Sequence, residues 1–256
     1  MEKFIEPIAT TPRVIGIGRI FFFTEDTEKI KKWYSYNFNV VKIVILLIIV
    51  VLTSCTAKKE SYYWDEYKMT INKKFPSKAN KLNDGTTTLK LIEFEKKFDI
   101  ILPKDFKRFY LMHNGEKENT GYIAGLSLLP IEQIEYELNR NRINWKKTAD
   151  FNQKWKGKIT PENSIKKVYY NRNWIPIISD LTGNYIAIDL DPNPEGKIGQ
   201  IINFGADEYE HFVIADNFNL FFKRINHYIL TNNINDKNLE NWGHITDLLR
   251  KELTKK

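Results

Sequence analysis

The chain has 256 residues, 42% of them hydrophobic and 14% aromatic, and a formal net charge of +7. That is enough apolar material for one good core and too little for two full-sized domains plus an export segment, and the aromatic content excludes a disordered chain because rings supply the buried area that offsets chain entropy. Its charges are interspersed with no block of five of one sign, which speaks against nucleic acid as a partner, and its single cysteine excludes an intrachain disulfide or a cysteine-based metal cluster.

In chain order, Pro12 to Phe23 reads as a strand and Asp26 to Tyr34 as a helix. This pair, with Asp26-Thr27-Glu28 and Trp33-Tyr34, resembles the opening βα unit of glyoxalase/bleomycin-resistance proteins. No His or Glu stands where that family places a metal ligand on the strand, and a lone unit cannot bury its own apolar face. Residues 1–40 are therefore read as a remnant or a mis-assigned N-terminal extension. Ile43 to Leu52 is an uninterrupted run of ten apolar residues after Lys42. It is too short to span a bilayer, which takes about 20 residues, and it suits the apolar centre of a signal peptide. Leu52-Thr53-Ser54-Cys55 then resembles the bacterial lipobox, so 41–55 is read as a lipoprotein signal with Cys55 as the lipid attachment point, and 56–62 as a tether. Translation starting near Val41 would place the mature domain on a membrane, facing the periplasm or outer membrane. A retained long N-terminus would keep it cytoplasmic.

From residue 63 to 230 helices come first and strands later. Tyr62 to Phe75 spaces Tyr63, Tyr67, Ile71 and Phe75 as one helical face, and Pro76 closes it. Thr86 to Thr88 offers caps for a helix over Leu89 to Phe98 with Leu91, Phe94 and Phe98 inward. Pro103 suits the first turn of the next helix. Asp105 to His113 turns Phe106, Phe109, Tyr110 and Met112 mostly inward, and Asn114-Gly115 reads as a left-handed C-terminal cap. A short strand-like stretch at 120–131 leads into a helix over Glu132 to Asn144, and Lys146 to Lys167 reads as a polar helix-and-loop excursion. Four strand candidates follow: Trp174–Ile178, Tyr185–Leu190, Gly199–Phe204 and His211–Ala215. Their turn-rich connections, Thr182-Gly183-Asn184 and Asp191-Pro192-Asn193-Pro194-Glu195-Gly196, argue for an antiparallel meander. Asn217 to Leu230 closes with an apolar stripe of Phe218, Phe221, Phe222, Ile225 and Ile229, and residues 231–256 read as one more helix and a Lys-rich tail. Helices segregated before and after a sheet predict an α+β fold, an antiparallel-rich sheet covered by N-terminal and C-terminal helices.

The run Leu82-Asn83-Asp84-Gly85, Leu91 to Leu102, Pro103 to Asn114-Gly115 is similar to the first motif of the SUKH superfamily, named partly for Smi/Knr-type cell-wall-assembly regulators. Trp174-Ile175-Pro176-Ile177, Asp180, Gly183-Asn184, Asp189-Leu190-Asp191-Pro192, Gly196 and Gly199-Gln200 resemble its strand block. The likeness runs from about Trp64 to Ile225. It implies a non-enzymatic, monomeric protein-binding domain, used in bacteria as an immunity protein that neutralises a toxin. It also implies partner-binding positions at Trp174, Asp180, Asn184, Asp189 and Asp191; the alternative reading is that Trp174 is core and the aspartates only shape turns. The other readings are a cell-envelope regulatory or scaffold lipoprotein, or a small metal-dependent enzyme.

For the enzyme reading, Asp180, Asp189, Asp191 and Glu195 fall within sixteen residues, and paired carboxylates serve acid–base chemistry or hold calcium or magnesium. The same residues shape hairpin turns, and no EF-hand-type loop is completed. The four histidines lack ligand spacing, and neither a Gly-rich phosphate loop nor a Gly-x-Ser-x-Gly elbow occurs. His113 reads as a helix-terminal residue, His211 as a packed or edge residue of a strand, and no cofactor or metal is expected.

Overall fold

The structure, a computed structural model, describes residues 14–17, 20–23, 28–29, 31–33, 35–38, 62–147, 149–242, 247 and 249–250. It divides into two compact units, 1–61 and 62–256. In the first, β1 (Val14–Ile17) and β2 (Ile20–Phe23) pair antiparallel, followed by helical residues between 28 and 38. The apolar run read as one strand is thus two, with Gly18 between them, a residue that short hairpin connections favour. The lipobox and Cys55 lie outside the described residues.

The second unit opens with α1 (Tyr63–Lys74), α2 (Thr88–Phe98) and α3 (Lys104–Met112). Thr87 caps α2 by accepting from the Lys90 amide at 3.2 Å. Helix α1 buries Trp64, Tyr67 and Ile71, so Trp64 takes the inward place expected of Tyr63. On α3, Phe106, Phe109 and Tyr110 are buried while Met112, on the far side of the helix from Tyr110, is exposed. Phe106 and Phe109 meet Phe218, and Phe109 also meets Phe222, on α6 (Phe218–Thr231); these ring pairs tie the N-terminal helices to the C-terminal one. Ile234 and Leu249 are also fully buried in this core, so the chain after residue 230 completes the domain.

Gly115 is left-handed (φ +68) but does not cap α3, which ends at an extended His113. Its role is close approach: a Cβ there would stand 2.4 Å from the Pro130 nitrogen. Beside it, the buried Glu116 accepts from the amides of Gly121, Tyr122 and Leu128 at 2.9, 2.7 and 3.1 Å, and pins the irregular segment 116–128. Burial raises its carboxyl pKa against those bonds. Glu116→Ala leaves three interior donors without an acceptor and is expected to cost about 3 kcal/mol, with Glu116→Gln costing roughly a third as much, read from urea midpoints.

The sheet runs β3-β5-β6-β7-β8-β4. Its members are β3 (Ser127–Leu128), β4 (Lys158–Thr160), β5 (Trp174–Ser179), β6 (Asn184–Asp189), β7 (Gln200–Gly205) and β8 (Glu210–Ala215). β5 to β8 form the expected antiparallel meander, and β4 alone joins in parallel, beside β8. A shift in register between Pro176 and Ile178 accommodates the proline in β5. Residues alternate between two buried faces. Ile175, Ile186, Ile188, Ile201, Phe212 and Ile214 pack on the helices. Trp174, Tyr185, Ala187, Ile202 and Phe204 pack beneath Ile165, Val168 and Tyr170 of the crossing segment. Two covered faces explain why the strands read as continuous apolar runs. The helix expected over Glu132 to Asn144 is α4 (Ile131–Lys147), and the polar excursion comprises α5 (Ala149–Lys154), β4 and this cover.

Candidate functional site

The five positions implied as partner-binding separate into two clusters at opposite ends of β6, roughly 17 Å apart for six residues at ~3.3 Å each. At one end Trp174, Asp189 and Gln200 lie in line across β5, β6 and β7. Trp174 and Asp189 are both 0% exposed. The crossing segment lies over that face and encloses both side chains, as the alternative reading of Trp174 as core has it. Asp189 accepts from the Asp191 amide and the Gln200 side chain, both at 2.9 Å. Burial first, then the Asp191 charge, push its carboxyl up to about 6 against those bonds. Gln200 also donates to the Ser164 carbonyl, Lys166 pairs with Asp191, and Asn171 donates to Asp191 at 3.0 Å. These polar groups hold the crossing segment onto the sheet, so the acidic pair is spent on architecture.

The other end is open to solvent. Between β5 and β6 the Asp180 carboxylate accepts from the Thr182 amide and hydroxyl, at 2.8 and 2.6 Å, and from the Asn184 amide and side chain, at 3.0 and 2.8 Å. Partial burial pushes its pKa up, but these four bonds outweigh it and hold the carboxyl below its usual range. Asn184 in turn accepts from the Asp207 amide at 3.0 Å, joining this turn to the one after β7. The effect is to hold Leu181 out on a left-handed backbone (φ +66) with 60% of its surface exposed.

Beside this turn lies a cleft of about 280 Å³, lined by Gln133, Glu137 and Arg140 of α4 and by Ser179, Thr182 and Tyr185. Gln133, Glu137 and Arg140 follow helical spacing, so one face of α4 presents all three. Glu137, nearly buried, accepts from the Tyr185 hydroxyl at 2.8 Å, from Gln133 at 3.0 Å and from Arg140 at 3.1 Å. Arg140 also donates to the Tyr185 hydroxyl, and its side chain is 47% exposed. Desolvation, then the Glu137 bond and charge, keep the phenol protonated. Each member holds the others: the carboxylate is saturated, the phenol is neutral, and no nucleophile stands beside a base. Among the described residues no cluster of three or more His, Cys, Asp or Glu side chains is placed to hold a metal ion.

Of the residues at this end, the sequence reading named Asp180 and Asn184 and did not name Gln133, Glu137, Arg140 or Tyr185. The helical spacing on α4 was the available signal, but polar residues on a surface helix ordinarily face solvent. At the end of α3, burial, followed by the Lys68 charge, lowers the pKa of His113.

The fold defines an α+β domain of helices on a six-stranded, mostly antiparallel sheet. The chain belongs to the SMI1/KNR4 family (SUKH-1), whose family profile matches residues 85–224. It is 33% identical over 202 residues to "KNR4/SMI1 homolog 2" of Debaryomyces hansenii, covering 62% of this chain and 33% of that one. It is 33% identical over 146 residues to "Cell wall biosynthesis/cell cycle regulator smi1" of Schizosaccharomyces pombe, 51% of this chain and 28% of that one. With "Cell wall assembly regulator SMI1" of Saccharomyces cerevisiae it shares 26% over 199 residues, 65% and 38% of the two chains. It therefore spans about a third of the length of the curated relatives it matches. Two of the three are named as regulators and none as an enzyme, in agreement with the non-enzymatic reading of the sequence.

Proposed function

We propose that this chain is a non-catalytic regulatory module of the cell envelope that works by binding another protein, and that the partner docks at the Asp180–Asn184 end of the sheet. The observation that carries this reading is the pairing of a rigid polar cleft with a Leu181 held out into solvent beside it. An apolar knob next to a half-exposed guanidinium is the kind of anchor on which a few residues dominate binding. The cell-wall regulator names of the relatives favour this over toxin neutralisation. Toxin neutralisation is the second reading, favoured by the Cys55 lipobox, which would set the domain where an incoming toxin is met.

Leu181→Asp and Arg140→Glu change the docking surface without entering the core. Leu181→Asp is expected to leave the unfolding free energy within about 0.5–1 kcal/mol of wild type, Arg140→Glu to lose more because nearly buried Glu137 is left without its cation, and both to fail to relieve the wall phenotype of a deletion strain. Full complementation by both variants would overturn the regulatory assignment of this surface. A wild-type wall in the deletion strain, with survival lost only on toxin challenge, would transfer the assignment to immunity.

The lipid anchor at Cys55 and a membrane location belong to the same proposal. Metabolic labelling with a palmitate analogue is expected to mark the wild-type chain and not Cys55→Ser, and unlabelled wild type would remove the anchor.

A further inference from the structure

The far edge of the sheet, opposite the β3 side, carries a second surface. β4 is the last strand in the order β3-β5-β6-β7-β8-β4, and among the described residues nothing pairs with its outer side. In a parallel ladder alternate residues direct both backbone groups to one neighbour. The Lys158 amide donates to the Tyr209 carbonyl at 3.1 Å, and Lys158 and Thr160 are in register with Glu210 and Phe212. The amide and carbonyl of Ile159 therefore face away from β8, available to a further strand. Beside β4 lies a groove of about 680 Å³, lined by all three of its residues together with Glu162, Asn163 and Lys167. Successive strand residues point to opposite faces, so a depression that touches all three runs along the edge itself. Its lining is mixed, with Ile159, partly buried, among polar side chains. Residues 154–167 carry five lysines against Glu162 alone. Two of these lysines are engaged, Lys158 with Glu210 at 3.0 Å and Lys166 with Asp191, while Lys154, Lys156 and Lys167 are exposed.

We propose that this edge and groove form a docking site for an extended, acidic segment of a partner protein, which adds to the sheet as a seventh strand beside β4. A short, lysine-bearing edge discourages indiscriminate pairing. The same lysines, which outnumber Glu162, attract a strand whose alternate side chains are carboxylates, while its other side chains pack against Ile159. The surface is separate from the Leu181 cleft, so it stands or falls independently of that site.

The probe is a fluorescent eight-residue peptide alternating Asp and Val, titrated against the full chain by anisotropy, with hydrogen exchange followed at the Ile159 amide. Saturable binding is expected, with slowed Ile159 exchange at saturation, and Lys167→Glu is expected to weaken binding roughly fivefold. Ile159→Pro removes a donor that makes no bond to β8, a position where an edge strand tolerates proline, and is expected to abolish binding with the fold kept. Three results would overturn the proposal: no binding by the peptide, equal binding by a version with proline at its centre, or unchanged Ile159 exchange at saturation. Lys167→Glu, a surface change, keeps the test decisive should Ile159→Pro fail to fold.

Discussion

Trp174→Ala is expected to cost about 4–5 kcal/mol of folding stability, close to the whole margin of many domains of this size. The indole is fully buried between the sheet and the crossing segment, at 5.4 Å from the Phe204 ring and 5.1 Å, edge-on, from the His211 ring. Neighbours on two strands and the cover above leave little freedom to collapse into the space, which is the condition under which cavity costs are greatest. Trp174→Phe keeps most of the apolar contact and is expected to lose about 1–2 kcal/mol. Urea unfolding of the three proteins measures both. If Trp174→Ala left the midpoint unchanged while weakening a partner, the residue would be a contact and not a core element.

The second large effect is in acid. The His211 ring is fully buried, stacks on Trp155 at 4.4 Å, and neither of its nitrogens has a hydrogen-bond partner. Burial alone depresses its pKa from 6.5 to about 3. Between those values the unfolded chain holds the proton and the native chain does not, so this term is fully favourable above pH 6.5 and falls as pH drops towards 3. At the acid end the loss amounts to roughly 4–5 kcal/mol. Asp189 acts in the opposite sense: its pKa rises from 3.8 to about 6, so its term is present below 3.8 and lost as pH rises to 6, by about 3 kcal/mol. From pH 6 to 4 these two slopes largely cancel, and below 4 only the histidine's of the two remains. In His211→Phe, whose ring can still stack on Trp155, the Asp189 slope is left exposed. The stability difference between His211→Phe and wild type is expected to grow steadily in favour of the variant as pH falls from 6.5 to 3. A difference independent of pH, in urea titrations across that range, would show that His211 does not titrate with folding.

Helical spacing was legible in the sequence because it reports burial along one element. Leu91, Phe94 and Phe98, and Phe218, Phe221, Phe222, Ile225 and Ile229, fall inward as their periodicity requires. Misplacements occurred where two apolar residues competed for one face: Trp64 displaced Tyr63, and Met112 turned outward. The strands were found from apolar runs and turn residues, and β5 to β8 lie within a residue or two of their expected bounds. β4 was not found, since three residues within a lysine-rich stretch carry no period and owe their extended form to pairing with β8.

By itself, then, the sequence determined the α+β class, the order of the main elements, the family resemblance, and Asp180 and Asn184 as a structured turn. All of these rest on local spacing and on short-range hydrogen bonding by Asp, Asn and Gly. Only the tertiary structure decided which of the five implied positions a partner can reach. Trp174 and Asp189 look like surface motif residues in the chain and become interior because residues 159–170 cross over them. Arg140 and Glu137 read as ordinary helix polarity and become a cleft because Tyr185, 45 and 48 residues further on, bonds to both. Burial and convergence are properties of segments distant in sequence, which no local pattern encodes.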